Sequence, residues 1–310
     1  MNDQILITGA SGWLGSRLEE MLPANSVRCM SGDIRSPEDC DNFCKGSRGG
    51  LLIHTASVIH PKKVSDFYEI NVQGCLNLLR AASRAKIDRF IYISSNSPFG
   101  ANSDPNEQFD EASPFNPYMN YGRSKMLAEN HVNDFFNRGE LKTVIIRAPW
   151  FYGPNQPARQ TLFFSMVRDG KFPIIGSGLN RRSMVYIDNL CDGILKAAAH
   201  PKSGGQAYWI ADERPYTMIE IIETIKNLYR DEFHQMVSEQ QLRLPGFVGD
   251  IARFCDALLQ GVGIYNQKIH VLSEMNLTIA CRIEKAKREL GYIPKIELKE
   301  GMRRSIQCIL

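Results

Sequence analysis

The segment Tyr121-Gly-Arg-Ser-Lys125 places a phenol and an ammonium four residues apart, a spacing that puts both on one face of a helix. It occurs once among the eleven tyrosines. A free tyrosine titrates near ~10, too high for proton exchange at neutral pH. A neighbouring cation favours the phenolate, and a drop of ~3 units requires about 4 kcal/mol of differential stabilisation. Tyr121 is therefore a candidate general acid/base with Lys125 as its activating partner. Upstream, Ile93-Ser-Ser-Asn-Ser-Pro-Phe-Gly100 closes an apolar strand with hydroxyls. Ser95 in that position can hydrogen-bond a reacting oxygen; a polar strand-end turn is the plain alternative.

A second group of residues has the chemistry of phosphate binding. Gly9-Ala-Ser-Gly12-Trp-Leu-Gly15 follows an apolar strand and opens a helix. In that context the first glycine permits a tight turn, the second lets the backbone approach a pyrophosphate, and the third lets helix pack on strand. The backbone around Ser11, Trp13 and Leu14 then supplies N–H donors at a helix N-terminus. Asp33, 18 residues beyond Gly15 and followed by Ile34, falls where such folds place an acid on the adenosine ribose. A helix-capping turn at Ser36 is the alternative for Asp33. A carboxylate there favours NAD, because a 2′-phosphate would face it; Arg35 beside it keeps NADP open.

These groups need a frame. Residues 5–8, 51–54, 90–94 and 143–147 are short apolar runs without polar alternation, as expected of strands buried on both faces of a parallel sheet. Between them, residues about 12–22, 36–46, 64–86 and 118–138 read as helices. Strand–helix repetition of this kind predicts a doubly wound α/β Rossmann sheet. Only one strand, 27–30, fits between the first helix and Asp33, so the sheet is expected to be one strand short. Beyond Pro149 helices are expected at about 157–170, 217–230, 244–262 and 298–307, with strands at 184–187 and 207–210 that could return to the sheet. The expected division is a cofactor domain, 1–154 plus about 184–210, and a smaller discontinuous substrate domain, about 155–183 plus 211–310.

Composition narrows the classes. The chain has 310 residues, 43% hydrophobic and 23% charged, enough for a large buried core without a metal or disulfide staple. Thirty-seven basic and 34 acidic residues give a net charge of +3, too balanced to predict nucleic-acid binding. No apolar run reaches the ~18 residues of a membrane span. The eight cysteines include no Cys-x-x-Cys pair, so no metal site is indicated, and Cys40 and Cys44 read as reduced packing residues. A cytoplasmic location is the expectation.

Taken together, Gly9–Gly15, His54-Thr-Ala-Ser57, Asn71, Ser94-Ser95 with Gly100, and Tyr121-x-x-x-Lys125 resemble the extended short-chain dehydrogenase/reductase family, which includes nucleotide-sugar epimerases, dehydratases and 3β-hydroxysteroid dehydrogenases. Lys285-Ala-Lys-Arg-Glu-Leu-Gly-Tyr-Ile-Pro294 resembles that family's C-terminal signature, so the likeness spans the chain. The resemblance implies Ser95, Tyr121 and Lys125 as catalytic residues, with Lys125 also holding the nicotinamide ribose. It implies that Thr55, Ala56, Ser57 and Ser94 line the cofactor, that Asn71 lies behind the site, and that Pro149 faces the nicotinamide. It implies a homodimer through the helices at about 64–86 and 118–138, where Leu76, Leu79, Leu127, Val132, Phe135 and Phe136 are apolar beyond one buried face.

Two departures and two further features bear on the substrate. Asn96 and Ser97 stand where 4,6-dehydratases of the family carry Asp-Glu, so the acid that would protonate a leaving hydroxyl is missing and dehydration is set aside. Trp150 stands where many epimerases have a substrate-contacting Asn. Arg182 is retained where relatives grip a nucleotide diphosphate, although it also reads as a surface arginine. Phe247, Ile251, Phe254 and Leu258 form a helical stripe expected to pack in the core, with a wall for a bulky substrate as the alternative. The expected function is NAD(P)-dependent interconversion of a secondary alcohol and a ketone on a nucleotide-sugar or sterol-like substrate. An epimerase with retained NAD is the second reading and a non-catalytic cofactor-binding regulator the third.

Overall fold

In the computed structural model, which describes residues 4–310, six strands form one parallel sheet. They are β1 (Ile5–Thr8), β2 (Val27–Cys29), β3 (Leu51–His54), β4 (Arg89–Ser95), β5 (Lys142–Ala148) and β6 (Gln206–Trp209), in the order β2-β1-β3-β4-β5-β6. The edge beyond β1 holds β2 alone, as the short segment before Asp33 requires. Successive strand residues alternate between two buried layers. Ile7, Ile53, Ile91 and Ile146 enter a core with Leu14, Leu18, Leu190 and Ile194. Leu6, Leu52, Phe90 and Ile145 enter one with Phe43, Leu78, Leu79 and Val132. Helices cover both faces, which is why the strands read as continuous apolar runs.

The register brings the carboxyl ends level: Thr8 lies beside His54, His54 beside Tyr92, and Ser95 beside Ala148. Strand order reverses between β1 and β3, so a crevice opens outside their carboxyl ends. The long Met119–Asn137 helix crosses behind β4 and β5. It is tied to β5 by a buried ion pair, Arg147 Nη2 to Glu129 at 2.9 Å, and the same guanidinium lies 4.4 Å from the centre of the Phe99 ring.

Several expectations change here. Residues 207–210 join the sheet as β6, but Met184–Tyr186 does not; it pairs with Trp150–Tyr152 in a separate two-stranded sheet. β6 occupies the open edge of β5, so Met184–Tyr186 pairs with the chain just past β5. Asp212 pins this small sheet, accepting from the Tyr152 hydroxyl at 2.8 Å and the Tyr186 N–H at 3.1 Å. Helices at Ile187–Ala199, Gln267–Glu274 and Glu284–Leu290 were not anticipated. The first follows its strand with no intervening glycine or proline, so nothing in the sequence punctuates the change.

The Phe247–Gly261 helix overturns the expected core packing: Phe247, Ile251, Phe254 and Leu258 are all exposed, whereas Gly249, Ala252, Asp256 and Gln260 face inward. Of the residues assigned to a dimer contact, Leu79, Val132 and Phe135 are buried in the chain's own core. Leu76 and Leu127 are half-buried and Phe136 is exposed. All eight cysteines are free, and Cys40 and Cys44 are buried as expected. Among the described residues, no helix is long and apolar enough to cross a membrane.

Candidate active site

The glycine loop sits at the crevice where strand order reverses. Gly9 has φ +75°, and a Cβ there would lie 2.6 Å from the Ala56 nitrogen. The loop after β3 therefore demands glycine as firmly as the turn does. A Cβ on Gly15 would lie 2.2 Å from the Gly9 carbonyl oxygen, so the third glycine seats helix on strand. Gly12 meets only that oxygen, at 3.2 Å, and faces open space in front of the Trp13–Met21 helix. That helix has no side-chain cap and no acid in its first turn. The Gly12 N–H closes the turn on the Gly9 carbonyl at 2.9 Å, and the N–H groups around Ser11, Trp13 and Leu14 form a cradle suited to a pyrophosphate. Trp13 plays a different part: its indole N–H donates to the Pro154 carbonyl at 2.8 Å and its ring lies 5.0 Å from Phe151. It fastens the loop to the segment after β5, where Pro149 is buried.

Asp33 lies past the end of β2, exposed, with both carboxylate oxygens engaged by Arg35; the closest approach is 2.6 Å. Arg35 holds this carboxyl below the ordinary carboxylate range. Ser36 caps the next helix, accepting from the Asp39 N–H at 3.1 Å, and Asp33 forms the turn before it, its carboxylate accepting from the Arg35 N–H at 2.9 Å. The pair is exposed and screened by solvent, so Asp33 can exchange Arg35 for ribose hydroxyls at small cost. Ile34 is buried and presses on Gly74, where a Cβ would lie 2.7 Å from it.

The floor of the crevice is a hydrogen-bonded strip. The Thr55 hydroxyl donates to the Thr8 carbonyl at 2.7 Å. Asn71 accepts from the Ser57 hydroxyl at 3.0 Å and the Val58 N–H at 2.8 Å, and donates to Ser124 at 3.1 Å. Asn71 sits in a wide-turn π segment, Phe67–Gly74, that continues as the Cys75–Arg84 helix; such segments often re-aim a side chain at a functional site. It thus joins the loop after β3 to the helix of Tyr121. Ser94 is buried with its hydroxyl unpartnered, an orphan that a ligand group at this edge would satisfy.

Ser95, Tyr121 and Lys125 converge at the carboxyl end of β4. Gly122 makes this possible: a Cβ there would lie 2.3 Å from the Ser97 carbonyl oxygen, so the start of the helix rests directly on the turn that follows Ser95. The Tyr118 N–H donates to that same oxygen at 3.0 Å. Met119, at the first helical position, takes φ +49°, a strained conformation for a side-chain-bearing residue at this junction. Burial pushes the Tyr121 phenol up to about 12, opposed by the Ser95 hydroxyl and the Arg159 guanidinium. The lowering expected from Lys125 is absent. The Lys125 ammonium donates to the Ile93 carbonyl at 2.7 Å and lies 4.4 Å from the Tyr92 ring centre, and burial pulls it down to about 8. A desolvated ammonium takes a carbonyl within reach, and here that is Ile93 near the carboxyl end of β4.

Sequence reading missed the outer wall. Phe67 and Tyr121 rings lie 5.7 Å apart, and Tyr265 from the C-terminal region packs edge-on against Phe67 at 5.4 Å. The Tyr265 hydroxyl and His60 Nδ1 are 2.6 Å apart. Arg159 forms no ion pair among the described residues, yet its charge acts on Tyr121, His60 and Tyr265. No local pattern marks these residues; they meet through the fold. Arg182 donates to the Glu274 carbonyl and its Nε is buried without a partner, so its guanidinium is partly engaged. Trp150 packs edge-on against Phe163 at 5.1 Å.

A family model described as NAD dependent epimerase/dehydratase family matches residues 5–211, from β1 to just past β6. The chain belongs to this family. It is accordingly an enzyme of the extended short-chain dehydrogenase/reductase type, and the reading as a non-catalytic regulator is set aside. Uncharacterized protein y4nL of Sinorhizobium fredii (strain NBRC 101917 / NGR234) is 49% identical over 98% of this chain and 95% of its own length. An N-acetyl-alpha-D-glucosaminyl-diphospho-ditrans,octacis-undecaprenol 4-epimerase of Escherichia coli O157:H7 is 24% identical over 99% of this chain and 95% of its own. Among solved structures, the UDP-glucuronic acid 4-epimerase of Bacillus cereus in complex with NAD has a TM-score of 0.77 and 21% identity, covering 99% of this chain and 98% of that one. This last likeness concerns the fold alone.

Proposed function

We propose that this family member catalyses reversible oxidation of a secondary alcohol carbon, with NAD bound across the Gly9–Gly15 cradle and the Thr55–Ser57 strip. The observation that carries this reading is the convergence of Ser95, Tyr121 and Lys125 at the carboxyl end of β4, beside that cradle. When bound, NAD supplies a hydride acceptor at its nicotinamide and a positive charge on the oxidised ring. The Ser95 hydroxyl holds the substrate oxygen. Tyr121 accepts the substrate's hydroxyl proton in oxidation and returns one in reduction, its phenolate favoured by Ser95 and Arg159. Lys125, held by the Ile93 carbonyl, lies one helical turn from Tyr121, in place to hold the nicotinamide ribose. The Asp33 carboxylate supports NAD over NADP.

Retention of NAD through an oxidation and a return reduction, giving epimerisation, is the second reading; it is supported by the activity named for the Escherichia coli relative. Arg182 supports a diphosphate-bearing substrate, and the aromatic Trp150 a bulkier apolar one. The cofactor-domain and substrate-domain division at 1–154 plus 184–210, a homodimer through half-buried Leu76 and Leu127, and a cytoplasmic location for its eight free thiols complete the reading.

The test combines identification of nucleotide released on denaturation with turnover of candidate alcohols and ketones followed at the nicotinamide absorbance. Tyr121→Phe should retain NAD binding and lose about 10²–10⁴-fold in kcat. A Tyr121→Phe enzyme turning over a confirmed substrate at near wild-type rate would overturn the assignment. Net absorbance change means oxidoreduction; product formation without it, together with released NAD, means epimerisation.

A further inference from the structure

The Phe247–Gly261 helix is built inside out. Its inward face is small or polar: Gly249, Ala252, Asp256 and Gln260. Its outward face is apolar, with Phe247, Ile251, Phe254 and Leu258 at helical spacing and Val262 and Ile264 continuing the line past its end. Phe247 is 60% and Phe254 66% exposed, so the two rings alone show roughly 250 Å² to solvent at ~200 Å² per side chain. With the four aliphatic residues the stripe ranks with the larger apolar patches a monomeric surface displays. The inward residues explain the orientation. Asp256 lies 2.7 Å from His270 Nδ1, and Gln260 accepts from the Asn120 side-chain amide at 2.9 Å. These bonds lock the polar face inward and turn the apolar face out.

Around this stripe the charges are basic. Lys63 is the cross-strand partner of Ile264, with Lys62 beside it, and both are exposed. Arg243 lies in the short strand before the helix, Arg253 adjoins Phe254, and Lys268 follows Ile264. The acids nearby are Asp256, buried against His270, Asp250, within 3.2 Å of Arg253, and the half-buried Glu274 and Asp66, which leaves Lys62, Lys63, Arg243 and Lys268 as the exposed charges. A second copy of the chain seated on this face by two-fold symmetry would oppose one basic rim to another. Acyl chains beneath anionic headgroups match both the stripe and its rim.

We propose that this face docks the protein peripherally on an anionic lipid bilayer, the apolar stripe at the boundary of headgroups and acyl chains and the basic rim among the headgroups. Docking does not depend on the reaction assigned to Tyr121. It does set the catalytic helix close to the bilayer, because Gln260 bonds Asn120, the residue before Tyr121.

The experiment is flotation of the full chain with vesicles of phosphatidylcholine alone or with added phosphatidylglycerol, with light scattering on the vesicle-free protein. The chain should float with the phosphatidylglycerol vesicles, and less so as salt rises. Phe247→Asp and Phe254→Asp should each weaken vesicle binding about tenfold or more. Because both residues are exposed, the variants should keep the wild-type melting temperature and NAD titration. Binding unchanged in both variants, binding equal with and without phosphatidylglycerol, or no binding would each overturn the proposal. So would a dimer that falls to monomer in Phe254→Asp without any vesicle binding, since that makes the face a contact between copies.

Discussion

Removing the Arg159 guanidinium should raise the Tyr121 pKa further, because Arg159 and Ser95 are the two groups that oppose the effect of burial on this phenol. In Arg159→Ala the limb of the kcat/KM profile that reports Tyr121 deprotonation should move to higher pH. At neutral pH, kcat/KM should fall about tenfold, equivalent to ~1.4 kcal/mol of lost transition-state stabilisation. Arg159→Lys should restore most of both. A pH profile unmoved in Arg159→Ala would limit Arg159 to substrate contact. Asp33→Ala makes a second test at this scale. It removes the carboxylate that would face a 2′-phosphate, so titrated NAD and NADP affinities should converge; tighter NADP binding by the wild type would shift the assignment to Arg35. The glycines, and Tyr121 with Lys125 once joined to the other motifs, were legible in the sequence as candidates. Arg159, His60 and Tyr265 could not, because they reach the site from three separate segments.

At the level of elements, Gly122 couples the Met119–Asn137 helix to the turn after β4. Alanine raises helix propensity by ~1 kcal/mol over glycine, which taken alone predicts a stabilising substitution. A Cβ 2.3 Å from the Ser97 carbonyl oxygen, a backbone atom that cannot swing away, predicts the reverse. Overpacking of this kind costs about 1–3 kcal/mol, so the clash outweighs the propensity gain. Gly122→Ala should therefore lower the urea midpoint and, by displacing Tyr121 from Ser95, reduce kcat by roughly 10²-fold. Gly261→Ala is the control, since a Cβ there meets nothing within 4 Å. Equal stability and activity in both variants would show that the helix start does not rest on the turn. Most helices of the cofactor half could be expected from periodicity. The Ile187–Ala199 helix could not, because strand and helix abut without a turn residue.

For the molecule as a whole, two buried groups set opposed pH dependences. Burial, aided by the Lys125 charge, depresses the His54 imidazole to about 3. Unfolding restores a value near 6.5, so the unfolded chain binds a proton that the folded one refuses, and stability falls as pH drops from 6.5 towards 3. Burial raises the Asp212 carboxyl to about 7. Here the folded chain holds the extra proton between about 4 and 7, so stability rises as pH falls through that window. Each effect reaches roughly 4–5 kcal/mol at full extent, and they oppose one another. The wild type should be nearly flat in urea midpoint from pH 6.5 to 4. His54→Gln should gain stability on acidification and Asp212→Asn should lose it. Parallel profiles for all three proteins would show that neither buried group titrates as its surroundings dictate.

Local chemistry in the sequence determined the Rossmann sheet and its missing strand, and it marked the glycine loop and the Tyr–Lys pair as candidates. These rest on spacings within one turn, one strand or one strand–helix junction. Tertiary structure decided the rest. It engaged Lys125 with the Ile93 carbonyl, because that acceptor comes from a strand 32 residues away. It assigned Asn71 to brace the Tyr121 helix, and sent 184–186 to a small sheet because β6 had taken the edge of β5. It also turned Phe247, Ile251, Phe254 and Leu258 outward. A stripe at helical spacing says only that one face is apolar. Which face is buried depends on partners elsewhere in the chain, and here Asn120 and His270 bound the polar side.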